Sequence, residues 1–401
     1  MNSLHLYVGQ LHAGTLLREV GGFVFRYADD YVGAPVFLNW PVQRAARHWQ
    51  DLPAELACLL PEGLQLDQWR DSGATDIGDW ALLTAMGADL PGMISALPSH
   101  VAAAPSCREA TGQKRLNRAR ILPKMDALPC TASDLAEFNS HVGFTYSLAS
   151  SGSCANAIYS RKESAFKLVK TNGSYRLTSE PKESPESIEN QLLTARLAHD
   201  AGLSVVPVGL VQTTDGVPVL WAERFDRSGA SNCQRARVES ACQLLSLTPA
   251  DKYDGSVEAV ARLIRQYCTN PKIQLMRLFH RVLFGWLTGN STLHLKKWSI
   301  LQNGSIVELS PAYSLINSAI LGYDTTESAL LINDRREGLD RGNLLEYLAK
   351  EVCGLNDRVI ARAMKQLGAV AWEQRILESG LSRGGQRAYF ELLSERWRRL
   401  H

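Results

Sequence analysis

Residues 289–299 read GNSTLHLKKWS, and residues 309–316 read LSPAYSLI. The first stretch closes a helix. Pro271 opens it, Met276, Phe279, Leu283 and Trp286 keep helical spacing, and Gly289–Asn290 stop it. The loop that follows gathers Thr292, His294, Lys296 and Lys297, and Trp298–Ser299 turns into a strand. Upstream, Val257, Val260, Ile264 and Cys268 predict another helical face. Residues 343–353, 357–367 and 385–399 predict further amphipathic helices, so the chain from 239 onward is expected to be mostly helical.

Ahead of it, the periodicity changes. SAFKLVK (164–170) alternates as a strand, with Phe166, Leu168 and Lys170 on one face and Lys167 on the other. Ser184–Pro185 predicts a helix start with Ser184 as cap, Ile188, Leu192 and Ala195 continue it, and Gly202 ends it. VVPVGLV (205–211) and GVPVLWAERF (216–225) predict a strand pair around a Thr213–Gly216 turn. At the N-terminus, Leu4, Leu6 and Val8 alternate, and a glycine pair precedes a Phe23/Phe25/Tyr27 alternation. Residues 56–64 and 79–98 read as a helical stretch. Residues 99–129 lack a steady period and are expected to connect two units; their Lys114–Arg120 cluster is a solvated basic face or a phosphate contact.

The 401 residues suffice for two or three packed units. With 45% hydrophobic and 21% charged residues the composition is that of a soluble globular protein. A net charge of +2, from 43 basic and 41 acidic residues, does not call for a polyanionic partner. Eight scattered cysteines without metal-site spacing predict reduced thiols in a cytoplasm. No apolar run is long enough for a membrane span, and the N-terminus does not read as a signal peptide.

These stretches together resemble the HipA family of serine/threonine kinases, the toxin half of HipBA toxin–antitoxin pairs. In that family the two opening stretches run roughly GNxDxHxKNxS and LxPxYDxx. Further matches are FRYADDYV (25–32), LLPEG (59–63), the G-A-D-L-P-G run ending at Gly92, AERFDR (222–227), and ESACQLL followed by Lys252–Tyr253. The resemblance extends from Leu6 to about Gly354. It implies an α+β, HipA-like protein-kinase fold with a small N-terminal subdomain (1–98), a linker (99–129), a kinase-like N-lobe (130–223) and a helical C-lobe (224–401).

The resemblance also assigns positions. Thr292 stands where the family has its base aspartate, Lys297 where it has a metal-binding asparagine, and Ser314 where it has a second metal-binding aspartate; His294 and Lys296 keep the pattern. Lys170 matches the lysine that reaches the nucleotide phosphates, with Glu189 as its helix partner; read alone, Lys170 is a solvated strand-end lysine. Glu223 and Phe225 match the adenine-edge positions. Ser147 matches an autophosphorylated serine in a phosphate-covering loop, but Gly152 and Cys154 replace that loop's glutamine and lysine.

The replacements carry a chemical expectation. A threonine hydroxyl cannot serve as a carboxylate base, whose help is worth roughly 10²–10⁴-fold in rate. A lysine repels Mg²⁺ where an amide oxygen would hold it, and a serine offers a neutral oxygen where a hard cation prefers an anionic one. ATP is the cofactor the resemblance implies, and Mg²⁺ is not expected to be held. Lys296 and Lys297 either neutralise phosphates directly or border an empty cleft. The sequence therefore points to a catalytically impaired pseudokinase that acts by binding, with an active serine/threonine kinase using non-standard residues as the alternative. The partners implied are a HipB-like helix-turn-helix antitoxin, through which DNA is reached indirectly, and a translation-linked protein target.

Overall fold

The strand alternation at the N-terminus closes into a five-stranded antiparallel sheet. β1 (Ser3–Val8), β2 (Leu11–Glu19), β3 (Gly22–Tyr27), β4 (Arg47–Trp49) and β5 (Ile94–Pro98) lie in the order β4-β3-β2-β1-β5. Leu4, Leu6, Leu16 and Phe25 point to one buried face, where helix α1 (Asp79–Met86) and Trp40 cover them. The computed structural model describes residues 2–63, 66, 78–101, 108–109, 128–139, 154–180, 184–228, 234–322 and 326–401. Most of the predicted linker, including its basic cluster, lies outside these residues.

One expectation fails here. Residues 94–98 were expected to continue a helical stretch, yet they form β5, because the open edge of β1 takes them in register from Leu4↔Pro98 to Val8↔Ile94. A short apolar run fits a buried strand or a helix equally well, and the neighbour decides.

A second sheet forms the small lobe. β6 (Cys154–Ser160), β7 (Ala165–Leu168), β8 (Tyr175–Ser179), β9 (Val208–Gln212) and β10 (Pro218–Glu223) are ordered β9-β10-β8-β6-β7, all antiparallel. Its outer face stacks Phe166, Tyr175, Leu177 and Trp221 with Leu128 and Leu135, the latter from helix α2 (Ala132–Asn139). Leu220 on the opposite face packs against Ile188 and Leu192 of helix α3 (Ser187–Asp200). This helix starts two residues later than Ser184–Pro185 predict. Glu186 takes a left-handed φ of 65°, and the exposed N-terminal groups are met from outside: Glu180 accepts the Ile188 N–H at 3.1 Å. Gly202 ends the helix as expected.

The helical lobe holds α4 (Val257–Tyr267), α5 (Pro271–Leu287), a π-type helix α6 (Gly342–Val352), α7 (Asp357–Gly368), α8 (Trp372–Leu377) and α9 (Arg383–Arg398). Phe279, Leu283 and Trp286 of α5 are buried in its core, whereas Met276 sits at the helix's exposed margin. A three-stranded sheet of β11 (Arg237–Ser240), β12 (Ser299–Asn303) and β13 (Ile306–Leu309) frames the loop between α5 and β12. The whole is an α+β architecture with a strand-rich lobe ahead of a helical one.

A buried charge lattice joins these parts. Arg224 and Arg227 both bond Asp226, at 3.0 and 2.6 Å, while Arg227 and Arg235 both bond Asp89 of the N-terminal subdomain, at 3.1 and 3.2 Å. Asn156 and the Asn172 N–H from the small lobe also reach Asp89. Gly92, at φ +71°, donates its N–H to Asp226 at 3.0 Å. Burial pushes the Asp226 carboxyl up, but Arg224 and Arg227 outweigh it and hold the group well below the usual carboxylate range. Removing one partner leaves buried guanidinium groups uncompensated. Asp226→Ala is therefore expected to cost about 3–5 kcal/mol in chemical denaturation, against about 0.5 kcal/mol or less for Lys167→Ala in the exposed Lys167–Glu163 pair.

Candidate functional site

The end of α5 fixes the loop that carries the replaced positions. Thr288 donates its hydroxyl to the Phe284 carbonyl, and Gly289 turns the chain at φ +71° with Asn317 packed against it. Ser291 is tied to Ser318 through its N–H at 2.8 Å. The Trp298 indole donates to the Leu293 carbonyl, and the Leu295 N–H to the Lys252 carbonyl. The loop is thus anchored on both sides before any ligand enters.

Within it, Lys297 turns inward. Its side chain is fully enclosed and donates to the Thr292 hydroxyl at 2.9 Å, which in turn donates to Asn290 Oδ1 at 2.9 Å. Among the described residues no carboxylate pairs with it; the cation is held by a hydroxyl that donates its own proton to an amide oxygen. Burial, with Lys252 adding repulsion, pulls the Lys297 ammonium down to about 7. His294 is buried against the Tyr253 ring, edge-on at 5.1 Å. Burial and then Lys297, Lys252 and Lys296 drive its value well below the ordinary one, so it is neutral at physiological pH.

Lys296 goes elsewhere. Its ammonium bonds Glu62 of the N-terminal subdomain, which also binds Lys252 at 2.5 Å. Neither amine is therefore open to solvent: Lys297 is enclosed and Lys296 is ion-paired.

The 310–315 segment faces the same region. Ala312 exchanges backbone bonds with Ser204 and Val206, joining the lobes. Tyr313 is buried, stacks near Phe225 at 5.3 Å and bonds Ser299 at 2.7 Å; burial pushes its hydroxyl up to about 12. Ser314 adopts a left-handed φ of 53°. It lines a cavity of about 20 Å³ between α3 and β9–β10, room for one water, and neither its hydroxyl nor the Gln191 amide nitrogen on the cavity wall has a protein partner.

Other expected residues are placed as follows. Glu223 ends β10, its N–H bonded to the Pro207 carbonyl, and Phe225 packs beside Ala236, Val238 and Leu301. Lys170 is exposed beyond the end of β7, and its expected partnership with Glu189 is absent. Glu189 instead accepts the Gly380 N–H, because a glycine there leaves space that a Cβ would fill at 2.6 Å from the carboxylate oxygen. Burial and then Glu180 push the Glu189 carboxyl up, and Arg196 and the Gly380 N–H offset them only in part. Ser147 lies outside the described residues.

The residues at the replaced positions do not fit Mg²⁺. They offer two hydroxyls and an ammonium, and a hard divalent ion asks for anionic oxygen. Among the described residues, no group of three or more His, Cys, Asp or Glu side chains is arranged to hold a metal. Glu308 is engaged with Arg277 at 2.9 Å, Asp334 lies in the exposed turn at Ile332–Arg335, and Asp324 lies outside the described residues. Sequence reading missed Glu62 and Asp89 as parts of this arrangement. The signal was an acidic residue inside each of two otherwise apolar runs, LLPEGL and GADLPG.

Comparison with known proteins finds two family models along the chain. Residues 4–97 match the family model described as the HipA N-terminal domain, and residues 150–373 match the one described as the HipA-like C-terminal domain. A relative named "Putative kinase Y4mE" from Sinorhizobium fredii is 28% identical over 326 residues, 78% of this chain and 76% of that protein. Another from the same organism, "Putative kinase Y4dM", is 24% identical over 353 residues, 80% of this chain and 76% of its own length. Among solved structures, HipA from the Shewanella oneidensis MR-1 complex of HipA, HipB and operator DNA superposes with a TM-score of 0.74 at 21% identity, covering 99% of this chain and 97% of that one. No helix among the described residues is long and apolar enough to cross a membrane.

The enclosed Lys297 sets a measurable pH dependence. Its value falls from 10.5 to about 7 on folding, so between these values the unfolded chain binds more protons and stability rises with pH. Lys297→Met removes this contribution. The variant is expected to gain stability over the wild type at about pH 6, and the gain is expected to shrink by about pH 9, as read by urea unfolding.

Proposed function

This chain belongs to the HipA family, and from that membership we propose that it is a pseudokinase: a kinase-fold protein that works by binding a HipB-like helix-turn-helix antitoxin and does not transfer phosphate efficiently. The observation that carries this reading is the enclosed Lys297–Thr292 bond, which puts an ammonium and a hydroxyl where phosphoryl transfer requires a metal ligand and a base. Electrostatic stabilisation of transferring phosphate depends on a cation shared with the nucleotide. Here the positive group at that place is spent on a hydroxyl within the protein. Lys170 without its Glu189 partner adds to this, since a solvated lysine is poorly fixed for a phosphate contact.

The partner reading is supported by the extent of the fold match. The superposition runs over nearly the whole chain, and the matched HipA is one seen with HipB and operator DNA. A chain that has lost its catalytic side chains while keeping both subdomains retains surfaces that serve association. DNA is then reached through the antitoxin, and ATP binds, where it binds, without a magnesium ion, in a cytoplasmic protein.

The test is transfer of label from γ-phosphate ATP in the presence of Mg²⁺, to itself and to a generic protein acceptor. The expected result for the wild type is no transfer above a Lys170→Ala control; magnesium-dependent transfer that this substitution abolishes overturns the pseudokinase reading. The combined variant Thr292→Asp, Lys297→Asn and Ser314→Asp is expected to gain activity, about 10²–10⁴-fold of it from the restored base. Co-expression with a small helix-turn-helix protein encoded beside it is expected to give a stable complex by size-exclusion chromatography.

A further inference from the structure

We propose that Lys252 and Lys296 form an anion-binding site that the N-terminal subdomain closes with its own carboxylate, Glu62. The two ammonium groups come from different elements, Lys252 from the turn ahead of α4 and Lys296 from the loop after α5, and both converge on Glu62, one on each oxygen. A carboxylate forked between two lysines occupies the place a phosphate oxygen pair would take. The Lys252 and Glu62 side chains are 25% and 20% exposed, so the site opens towards solvent once Glu62 is withdrawn.

The local charge favours an anion even with Glu62 in place. Lys252, Lys296 and Lys297 face His294 together, and all three repel its proton. Glu62 is a single negative charge shared between Lys252 and Lys296, while Lys297 is only partly protonated near pH 7. Burial pushes its carboxyl up, yet Lys296 and Lys252 outweigh that and keep it ionised. The backbone is pre-set as well: the Leu295 N–H is held by the Lys252 carbonyl, and the Tyr253 carbonyl accepts from Arg336 at 2.5 Å, so the two lysines stay together when Glu62 leaves. What keeps Glu62 seated is a set of subdomain contacts nearby. Glu55 accepts from Asn39 at 2.7 Å and from Ser246 at 2.8 Å, and its carbonyl accepts from Gln243 at 3.0 Å. The N-terminal subdomain thereby acts as a built-in occupant, and moving it is the event that frees the site for a small dianion or polyphosphate.

This inference stands on the geometry of the three side chains and does not depend on whether the chain transfers phosphate. The probe is inorganic pyrophosphate without divalent metal, read by thermal melting of the full chain. Glu62→Gln, which keeps shape and removes charge, is expected to gain a pyrophosphate-dependent rise in Tm of about 1.5–2 °C when the ligand exceeds its Kd about tenfold. The wild type is expected to show less than half that rise, and Glu62→Gln/Lys252→Met/Lys296→Met none. A Glu62→Gln chain that melts cooperatively without any rise, or a rise of the same size in the triple variant, overturns the proposal. If Glu62→Gln does not fold, Glu62→Asp, whose carboxylate stops one methylene short of the lysines, takes its place with the same two outcomes.

Discussion

Three buried arginines and two buried aspartates hold this molecule in one piece. Arg224 and Arg227 come from the segment between the lobes, Arg235 from the residues just ahead of β11, Asp226 from between the first two, and Asp89 from the N-terminal subdomain. Ion pairs of this kind are costly to bury and are retained only when nearly every lone pair and proton is met. Here most of the remaining donors reach the Gly92, Leu90 and Ala88 carbonyls, Ser95 and Asn172, and the Nε–H groups of Arg227 and Arg235 are left without a protein partner. The consequence is register. The N-terminal subdomain, the small-lobe sheet and the strands framing the loop after α5 are fixed relative to one another at one point.

That register makes the second interface possible. Leu38 donates its N–H to Glu239, which Arg237 also bonds at 3.1 Å, and Asn39 reaches the Gln243 carbonyl. Burial pushes the Glu239 carboxyl up to about 7 despite Arg237 beside it. Along the same face Glu62 arrives at Lys252 and Lys296. The N-terminal subdomain is therefore part of the environment of the 289–299 loop, and the electrostatics of that loop cannot be read from the kinase-like lobes alone.

Around Thr292 and Lys297 the chemistry has changed sign. Where phosphoryl transfer brings a metal cation to anionic oxygens, this chain supplies an amine to neutral ones. A buried lysine is stable there because its proton is weakly held and its bond to Thr292 continues to Asn290. Thr292 and Lys297 thus form a chain of hydrogen bonds that ends on Asn290 Oδ1 and braces the loop without a metal, while the Ser314 hydroxyl and Asn290 Nδ2 are left without a protein partner.

Much of this was legible from residues alone. The helix over 271–287, its stop at Gly289, the alternation of β1, β3 and β7, and the Thr213–Gly216 turn all follow from local periodicity and turn chemistry, which short-range sterics dictate. So does the loss of acidic groups at positions 292 and 314 and the arrival of a cation at 297, since a side chain's ionisation is written in its identity. Tertiary structure decided what those groups touch. Residues 94–98 became a strand because β1 had a free edge, Glu189 took Gly380 in place of Lys170, and Lys296 took Glu62 from more than two hundred residues away. Partners that distant in the chain are chosen by where the packed elements bring them. Spacing along the sequence carries no trace of that choice.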